Sequence, residues 1–330
     1  MNSLARPYPL TPALSPKGRG SAFLWFAAAL ALSLVLSTTA ADAEAKVELW
    51  DGQRALADVA ALLKFTPRSL DTAGHQLTID YIKAELAKIH VDPVATQRWV
   101  FEDDSGRAVA MTNIVARLDP ENPRRVILAT HYDSIVRAYR DPKNPNAPMP
   151  GANNSASGVA LLLETARVLS LSQKPPFGVD LIFFDGEEGP KSLGAGDPAW
   201  HALGSPYFAA HLKDYYPQGK PEKAVVFDMV CDKDLALKAE PFSLANAATE
   251  VRKYWSLGAK ITPSSFPAAT TPYPISDDHN ALAEAGIPSF LVIDFDYEPY
   301  FNTSADTIDK CSAQSLETVG RTTLQYLYSP

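Results

Sequence analysis

The sequence predicts a mostly parallel, three-layer α/β domain, with helices on both faces of a central sheet. Short apolar runs at residues 179–184, 223–229 and 287–293 have the length and composition of strands that are buried on both faces. Helical patterns separate these runs along the chain. Alternation of strands and helices is typical of parallel sheets, because each parallel strand is joined to the next by a long crossover, usually a helix.

The first elements are two helices and a pair of strands. Residues 51–64 and 73–90 have helical patterns, and the second carries one apolar stripe whose members recur every three or four residues: Ile79, Ile82, Leu86 and Ile89. Residues 97–101 and 109–118 alternate enough to be strands. Between them, Asp103-Asp104-Ser105-Gly106 has the composition of a turn. This part of the chain therefore predicts two helices followed by a hairpin.

The alternating pattern begins after this hairpin. RVILAT at residues 125–130 predicts a short buried strand, and residues 155–169 predict a helix with one apolar side. Further helices are expected between and after the later strands, at 205–213, 245–257, 278–285 and 314–327. The loops at 135–150 and 189–204 are long and rich in proline and glycine. Long loops in compact domains are usually functional, so we expect them near a site.

Composition excludes some classes of protein. The chain has 330 residues, 46% of them hydrophobic, which is enough for one large core or two modest ones. Charged residues make up 21%, so neither disorder nor a coiled coil is indicated. Thirty basic and 38 acidic residues give a formal charge of −8, and no basic run is present. A nucleic-acid partner is therefore not expected.

The N-terminus has the pattern of a secretory signal peptide. An apolar run at residues 21–37 is followed by a small-x-small cleavage site at 41–43 and preceded by three basic residues, Arg6, Lys17 and Arg19. The run is at the short end of the range that spans a bilayer, so an uncleaved anchor is the alternative. We expect residues 1–43 to be a signal peptide and 44–330 a single domain. The mature protein would then be periplasmic or secreted, with no stable membrane anchor.

The two cysteines, Cys231 and Cys311, leave their state open. An oxidising compartment would allow them to form a disulfide. Two free buried thiols are an equally good interpretation of two distant cysteines. A zinc site of the CxxC type is excluded, because the chain has no such pair.

Acidic residues and a histidine follow several predicted strands directly. His131 and Asp133 follow the strand at 125–130, Glu187 and Glu188 follow the strand at 179–184, and Asp228 lies near the end of the next. Ligands of such sheets bind beyond the carboxyl ends of the strands, so these side chains are expected to converge. A histidine can ligate a metal while a nearby carboxylate fixes its ring. Two adjacent glutamates favour a cation, with one as ligand and the other as general base.

Six segments together resemble a known family. In order and spacing they are similar to motifs of the zinc aminopeptidase and glutaminyl cyclase superfamily: ATHYDS, GANNSASGVALLLETARVL, LIFFDGEE, VVFDM, SDDHNALAEAGIP and FNTSADT. The resemblance covers most of the chain from about residue 51 to residue 327. It implies an α/β/α sandwich on a central mixed, mostly parallel sheet, as in the zinc exopeptidases.

The resemblance also implies site residues. In the aminopeptidase branch, one zinc takes the positions of His131 and Asp228, a second takes Glu188 and the position of Asn302, and Asn154 stands at the bridging position. In the cyclase branch a single zinc takes the positions of Asn154, Glu188 and Asn302. In both branches Glu187 moves the proton, and the cyclases add Asp228 and Asp277 as hydrogen-bonding acids.

Details of the motifs favour the cyclase branch. LIFFDGEE and the double acid of SDDH look more like the cyclases, whereas Phe301 replaces a tryptophan that cyclases carry before the late histidine. Trp200 and Phe301 are expected as substrate-binding pocket walls, with His201 and Tyr132 as weaker candidates. Three further side chains are expected to hold the ligands and acids in place by hydrogen bonds: Asp133, Asp278 and His279.

The chain departs from this pattern at two zinc ligands. Asn154 and Asn302 stand where the cyclases have an aspartate and a histidine, and zinc prefers imidazole, thiolate and carboxylate to a neutral amide. Three hypotheses follow. One zinc ion is held nearer to His131, Asp228 and Glu188; or the fold binds peptides without metal or catalysis; or the remaining acids catalyse slowly alone.

The expected activity is glutaminyl-peptide cyclisation with one zinc ion, which forms an N-terminal pyroglutamate. A zinc aminopeptidase and an inactive peptide-binding homologue are the alternatives. The expected partner is a peptide or protein N-terminus as substrate, and the expected state is a monomer.

Overall fold

A six-stranded mixed sheet forms the centre of the protein, which we describe from a computed structural model covering residues 49–103 and 105–329. The expected signal peptide at 1–43 lies outside the described residues. Strands β1 (Val94–Glu102) and β2 (Ala108–Leu118) form the predicted hairpin. The other strands are β3 (Arg125–His131), β4 (Gly178–Phe184), β5 (Lys223–Asp228) and β6 (Ser289–Ile293).

The strand order is β1-β2-β4-β3-β5-β6. Strand β4 pairs antiparallel with β2 and parallel with β3, and β3, β5 and β6 continue the sheet in parallel. Strands β3, β4, β5 and β6 therefore end at the same edge. The mixed, mostly parallel sheet that the sequence predicted is confirmed.

Helices cover both faces of the sheet, because alternate strand residues point to opposite sides. Val126 and Leu128 of β3 face one core, whereas Ile127 and Ala129 face the other. The first core is closed by α1 (Gly52–Leu62), α2 (Ala73–Lys88), α3 (Gly158–Leu171), α6 (Pro241–Ile261) and α8 (Ala313–Tyr328). The second is closed by α4 (Gly204–Ala210), α5 (Leu212–Tyr215) and α7 (Asp278–Glu284). These are the three layers.

Three predicted helices differ in extent from the observed ones. The helix expected from residue 155 begins only at Gly158, because residues 152–157 form a wide turn, non-helical at Asn154, that is held by Asp306. Helix α6 begins four residues before its predicted start at 245, where the buried Glu240 side chain caps it. The helix predicted at 205–213 is broken into α4 and α5 at His211.

The structure answers the question left open for the cysteines. Cys231 and Cys311 form a disulfide that joins the segment after β5 to the segment before α8. Both residues are buried in the first core. Among the described residues, none of the helices is long and apolar enough to cross a membrane.

Candidate functional site

A pocket of about 240 Å³ opens at the edge where the parallel strands end. Most of the predicted site residues line it: Asn154, Glu187, Glu188, Trp200, Asp228, Asp277, Phe301 and Asn302. Tyr273, Ile275 and Phe295 add apolar wall. The pocket therefore combines an acidic floor with aromatic sides.

His131 lies at the end of β3, buried between two carboxylates. Its Nε2 is 3.2 Å from Asp228 Oδ1, and its Nδ1 is 3.4 Å from Asp133 Oδ1. Burial alone would lower the pKa of His131, but the carboxylates of Asp133 and Asp228 beside its ring nitrogens, together with the charge of Glu187, raise it well above its ordinary value. The imidazole is thus held in an environment that favours positive charge at its position.

Asp133 fixes the turn that carries the two glutamates. Its carboxylate accepts the backbone N–H of Glu187 and of Glu188, each at 3.1 Å. The indole Nε1 of Trp200 donates to the carbonyl oxygen of Glu187 at 2.7 Å. A Cβ atom on Gly194 would lie 2.3 Å from Glu188 Oε2 and would displace that carboxyl, and the φ of 49° also favours glycine there. The turn is held from three sides.

Glu187 and Glu188 both interact with His131 but have different acidic neighbours. Burial, and then the charges of Glu188, Asp277 and Asp278, raise the pKa of Glu187 well above its usual range, despite the opposing effect of His131. Burial raises the pKa of Glu188 to about 8, with Asp133 and Asp228 among its acidic neighbours. Both glutamates therefore interact with His131; Glu187 also interacts with Asp277, and Glu188 with Asp133 and Asp228.

Asn154 lies in the wide turn before α3. The carboxylate of Asp306 accepts the backbone N–H of Asn153 at 2.8 Å and that of Asn154 at 3.1 Å. The side-chain Nδ2 of Asn154 donates to Glu188 Oε1 at 3.0 Å. Its Oδ1 is buried and has no hydrogen-bond partner among the described residues. The amide is anchored by its nitrogen and leaves its oxygen unused.

Asn302 is held like Asn154, with its amide nitrogen anchored and its amide oxygen without a partner among the described residues. Its Nδ2 lies 3.1 Å from the hydroxyl of Tyr139, and its buried Oδ1 has no partner within the described part of the chain. The backbone of Asn302 has a φ of 57°. Asparagine adopts that left-handed conformation more readily than most residues.

Of the three predicted site residues at the start of α7, Asp277, Asp278 and His279, only Asp277 lines the pocket. Asp277 caps the helix by accepting the backbone N–H of Asp278, and burial followed by the charge of Asp228 raises its pKa to about 6. Asp278 is buried and accepts a hydrogen bond from Ser205. His279 Nε2 lies 3.2 Å from Glu240 Oε1, and both side chains are fully buried. Neither Asp278 nor His279 lines the pocket.

Sequence reasoning missed three supporting residues. Asp306 and Tyr139 hold the two asparagines, and Glu240 ties the start of α6 to His279 and to the backbone N–H of Ile275. Asp306 belongs to the quoted segment FNTSADT, so its position was available as a signal. Tyr139 lies in the long loop at 135–150, which was expected near the site.

Two weaker candidates are not part of the pocket lining. Tyr132 is fully buried, stacks on His75 and donates to the Thr112 carbonyl oxygen at 2.8 Å. It is a packing residue. His201 is exposed beside Trp200 and does not line the pocket.

The side chains around His131 suit a zinc ion, whereas those at the cyclase ligand positions do not. The cyclase ligand positions hold one carboxylate and two neutral amides, Asn154 and Asn302, which is a poor donor set for zinc. Ligand atoms of His131, Glu187 and Glu188, in contrast, all lie within 4.8 Å of one another. Asp228 lies 3.2 Å from His131 Nε2, close to the separation of about 3.3 Å between neighbouring ligands in a tetrahedral zinc shell. One imidazole with these carboxylates is a set that zinc accepts.

Comparison with known proteins agrees with the resemblance seen in the motifs. A sequence model of Peptidase family M28 matches residues 113–327. The mouse (Mus musculus) glutaminyl-peptide cyclotransferase-like protein is 28% identical over 215 residues, which cover 59% of this chain. This chain spans only 54% of the length of that relative.

Two solved structures are similar over nearly all of the described chain. They are a Zn-dependent exopeptidase from Parabacteroides distasonis, with a TM-score of 0.78, and the glutaminyl cyclase of Tannerella forsythia, with a TM-score of 0.77. Each is 30% identical to this chain, and each match covers 86% of this chain and 100% of the other. The zinc exopeptidase and glutaminyl cyclase fold predicted from the sequence is confirmed.

Proposed function

The chain belongs to peptidase family M28, and from that premise we propose that it closes the N-terminal glutamine of a peptide or protein into pyroglutamate. The observation that carries the proposal is the pocket itself. Four carboxyls line it together with the aromatic side chains of Trp200 and Phe301: those of Glu187, Glu188, Asp228 and Asp277. Relatives and structural neighbours named as glutaminyl cyclases support the same reaction.

The metal side of the proposed site is the side of His131. We assign His131, Asp228 and Glu188 to hold one zinc ion, because Asp228 lies 3.2 Å from His131 Nε2 and a ligand atom of Glu188 lies within 4.8 Å of one of His131. Glu187, which lies within the same distance, is assigned to the proton transfer. A zinc ion bound there supplies Lewis acidity towards a carbonyl oxygen. Asp133 holds both Glu188 and the imidazole in place, since its carboxylate contacts the backbone of one and the ring of the other.

The proton side is Glu187 with Asp277. In the proposed reaction the α-amine nitrogen forms a bond to the side-chain carbonyl carbon of the glutamine, and the bond from that carbon to the amide nitrogen breaks. Glu187 takes a proton from the amine and passes it to the departing nitrogen, which leaves as ammonia. Burial and the neighbouring charge of Asp277 raise the pKa of Glu187, and a raised pKa makes its carboxylate a stronger base for the amine proton.

The aromatic walls select how the substrate enters. Trp200 is fixed by its hydrogen bond to the Glu187 carbonyl oxygen, so its ring position is set by the same turn that carries the acid. Phe301 packs against Phe295 at 5.5 Å between ring centroids. These rings would cover the aliphatic part of the glutamine side chain, while the acids meet its polar groups.

Ammonia release from a glutaminyl peptide tests the proposal. We expect a tripeptide amide beginning with glutamine to release ammonia and to give a pyroglutamyl product by mass spectrometry. Glu187→Gln should lower kcat by about 10²- to 10⁴-fold, which is the usual contribution of an acid–base group. The exposed Glu121→Gln is the matched control and should keep the full rate.

The same assay separates the alternatives. Release of free glutamine would identify an aminopeptidase, with Glu187 activating water. Binding of the peptide without either product would leave a peptide-binding homologue. Both outcomes would overturn the cyclase proposal.

We also propose that residues 44–330 act as a single domain. The mature chain is expected in the periplasm or outside the cell, as a monomer.

A further inference from the structure

Two buried amide oxygens of the pocket have no partner. Asn154 Oδ1 and Asn302 Oδ1 accept no hydrogen bond from any described residue, although the side chains are only 5% and 1% exposed. A buried polar atom without a partner is destabilising and is rare in folded proteins. Both asparagines line the same pocket as Glu188. A ligand that donates hydrogen bonds would satisfy them.

The orientation of the first amide follows from its neighbour. The Asn154 group that faces Glu188 Oε1, at 3.0 Å, is the NH₂ end, which donates to the carboxyl oxygen. The oxygen is then the end that remains for a ligand. The Nδ2 of Asn302 donates to the hydroxyl oxygen of Tyr139 at 3.1 Å, and its oxygen is again the end without a partner in the described part of the chain. Two acceptors and the carboxyl group of Glu188 therefore line the same pocket.

The charge of the pocket determines what kind of donor fits. Four carboxyls line it, those of Glu187, Glu188, Asp228 and Asp277, and none of its described lining residues is basic. A cationic donor interacts more favourably with these carboxyls than a neutral donor does. A primary ammonium group has three N–H donors and a positive charge, which match acceptor oxygens beside carboxylates.

We propose that Asn154, Asn302 and Glu188 form the receptor for the α-ammonium group of the substrate's first residue. This inference rests on the proposed function, because it assigns a place to the amine that the cyclisation requires. It also gives the two asparagines a positive role. They stand where the resemblance implies zinc ligands. Their amide oxygens would instead accept hydrogen bonds from the ammonium group, while the metal lies on the side of His131.

Binding of a peptide that cannot react tests the receptor without turnover. The probe is norvalyl-phenylalanyl-alanine amide, whose unbranched side chain has no amide to cyclise, compared with the same peptide acetylated at its α-nitrogen. Calorimetry is done on the full mature protein, treated with a chelator and kept at about pH 6.5, where the free amine is protonated. We expect the free peptide to bind at least about 10-fold more tightly than the acetylated one, since hydrogen bonds to a charged group contribute about 1.5–3 kcal/mol each.

Two substitutions at Asn302 should act in opposite directions. Asn302→Gly keeps the left-handed backbone and removes the acceptor, so the free peptide should bind about 10- to 100-fold more weakly and the acetylated one unchanged. Asn302→Asp keeps an acceptor and adds a negative charge, so the free peptide should bind more tightly. Damage to the fold would not produce this gain.

The outcomes separate this inference from the proposed function. Equal binding of free and acetylated peptide, or an equal loss of both in Asn302→Gly, would overturn the receptor. Tight binding of Ca²⁺, titrated as calcium chloride in place of the peptide, would also overturn the receptor, because oxygen ligands suit hard cations. If the free peptide is preferred but glutaminyl peptides release no ammonia, the receptor stands and the cyclase proposal fails.

Discussion

Replacing Asp133 by asparagine tests how the glutamate turn is held. The carboxylate of Asp133 is fully buried and accepts two backbone N–H groups, those of Glu187 and Glu188, at 3.1 Å each. An asparagine side chain offers one acceptor oxygen and turns its NH₂ group towards the other donor. One charge-assisted hydrogen bond is lost and one buried N–H is left unsatisfied. Together these changes should lower the free energy of unfolding by about 3 kcal/mol.

The pH dependence of this loss has a definite sign. Burial alone would raise the pKa of Asp133, but His131 and the Glu188 backbone N–H lower it below its ordinary value. The stability that the carboxylate contributes is therefore present above the unfolded-state pKa of about 3.9 and is lost as the pH falls below that value. The difference between the two proteins should be full at about pH 5.5 and smaller by roughly 0.5–1 kcal/mol at about pH 3.5.

Urea unfolding at both pH values measures the effect, with the exposed Asp80→Asn as the matched control. The control should change stability by less than about 0.5 kcal/mol, as surface substitutions usually do. A loss below about 1 kcal/mol for Asp133→Asn, or an equal loss at both pH values, would refute the role assigned to this carboxylate.

Three further predictions concern the disulfide, a buried acid and the lost zinc ligands. Changing Cys231 and Cys311 together to alanine should lower the free energy of unfolding by up to about 4.5 kcal/mol, because the bond closes a loop with a sequence separation of 80; urea unfolding that shows no loss would contradict this. Burial raises the pKa of Asp58 to about 6, so its charged form opposes folding as the pH rises from about 3.9 to 6. Asp58→Asn should therefore be about 2–3 kcal/mol more stable at about pH 8 and no more stable at about pH 4, by thermal unfolding; a gain that is the same at both values would be inconsistent with a titrating group. Asn154→Asp with Asn302→His should raise zinc affinity on the order of 100-fold or more over the parent, in a competition assay with a chelating dye, and unchanged affinity would mean that the position no longer accepts zinc.

Much of the fold was predictable because it depends on local patterns. The continuous apolar runs of β4, β5 and β6 distinguish strands buried on both faces, and the sheet that they form was predicted correctly. Helix ends were less predictable, since Glu240 and Asp306 fix them through contacts distant in sequence. Their effects require the tertiary structure.

The site was predictable to the extent that strand ends share an edge. His131, Glu187 and Asp228 follow strands directly, so their convergence follows from the topology. The separation of Asp277 from His279 did not follow from the motif, because the direction of each side chain depends on where α7 begins. The unpartnered oxygens of the two asparagines also depend on neighbours, Glu188 and Tyr139, that the sequence does not pair.

The metal content of the mature protein tests the central claim most directly. After dialysis against limiting zinc, plasma mass spectrometry should find about one zinc ion per chain, and His131→Ala should remove it, because the imidazole is the one nitrogen donor among the assigned ligands. Asn302→Gly should leave the zinc in place, since that residue is assigned to the substrate amine. Background metal in the parent protein, or zinc retained in His131→Ala, would contradict the account.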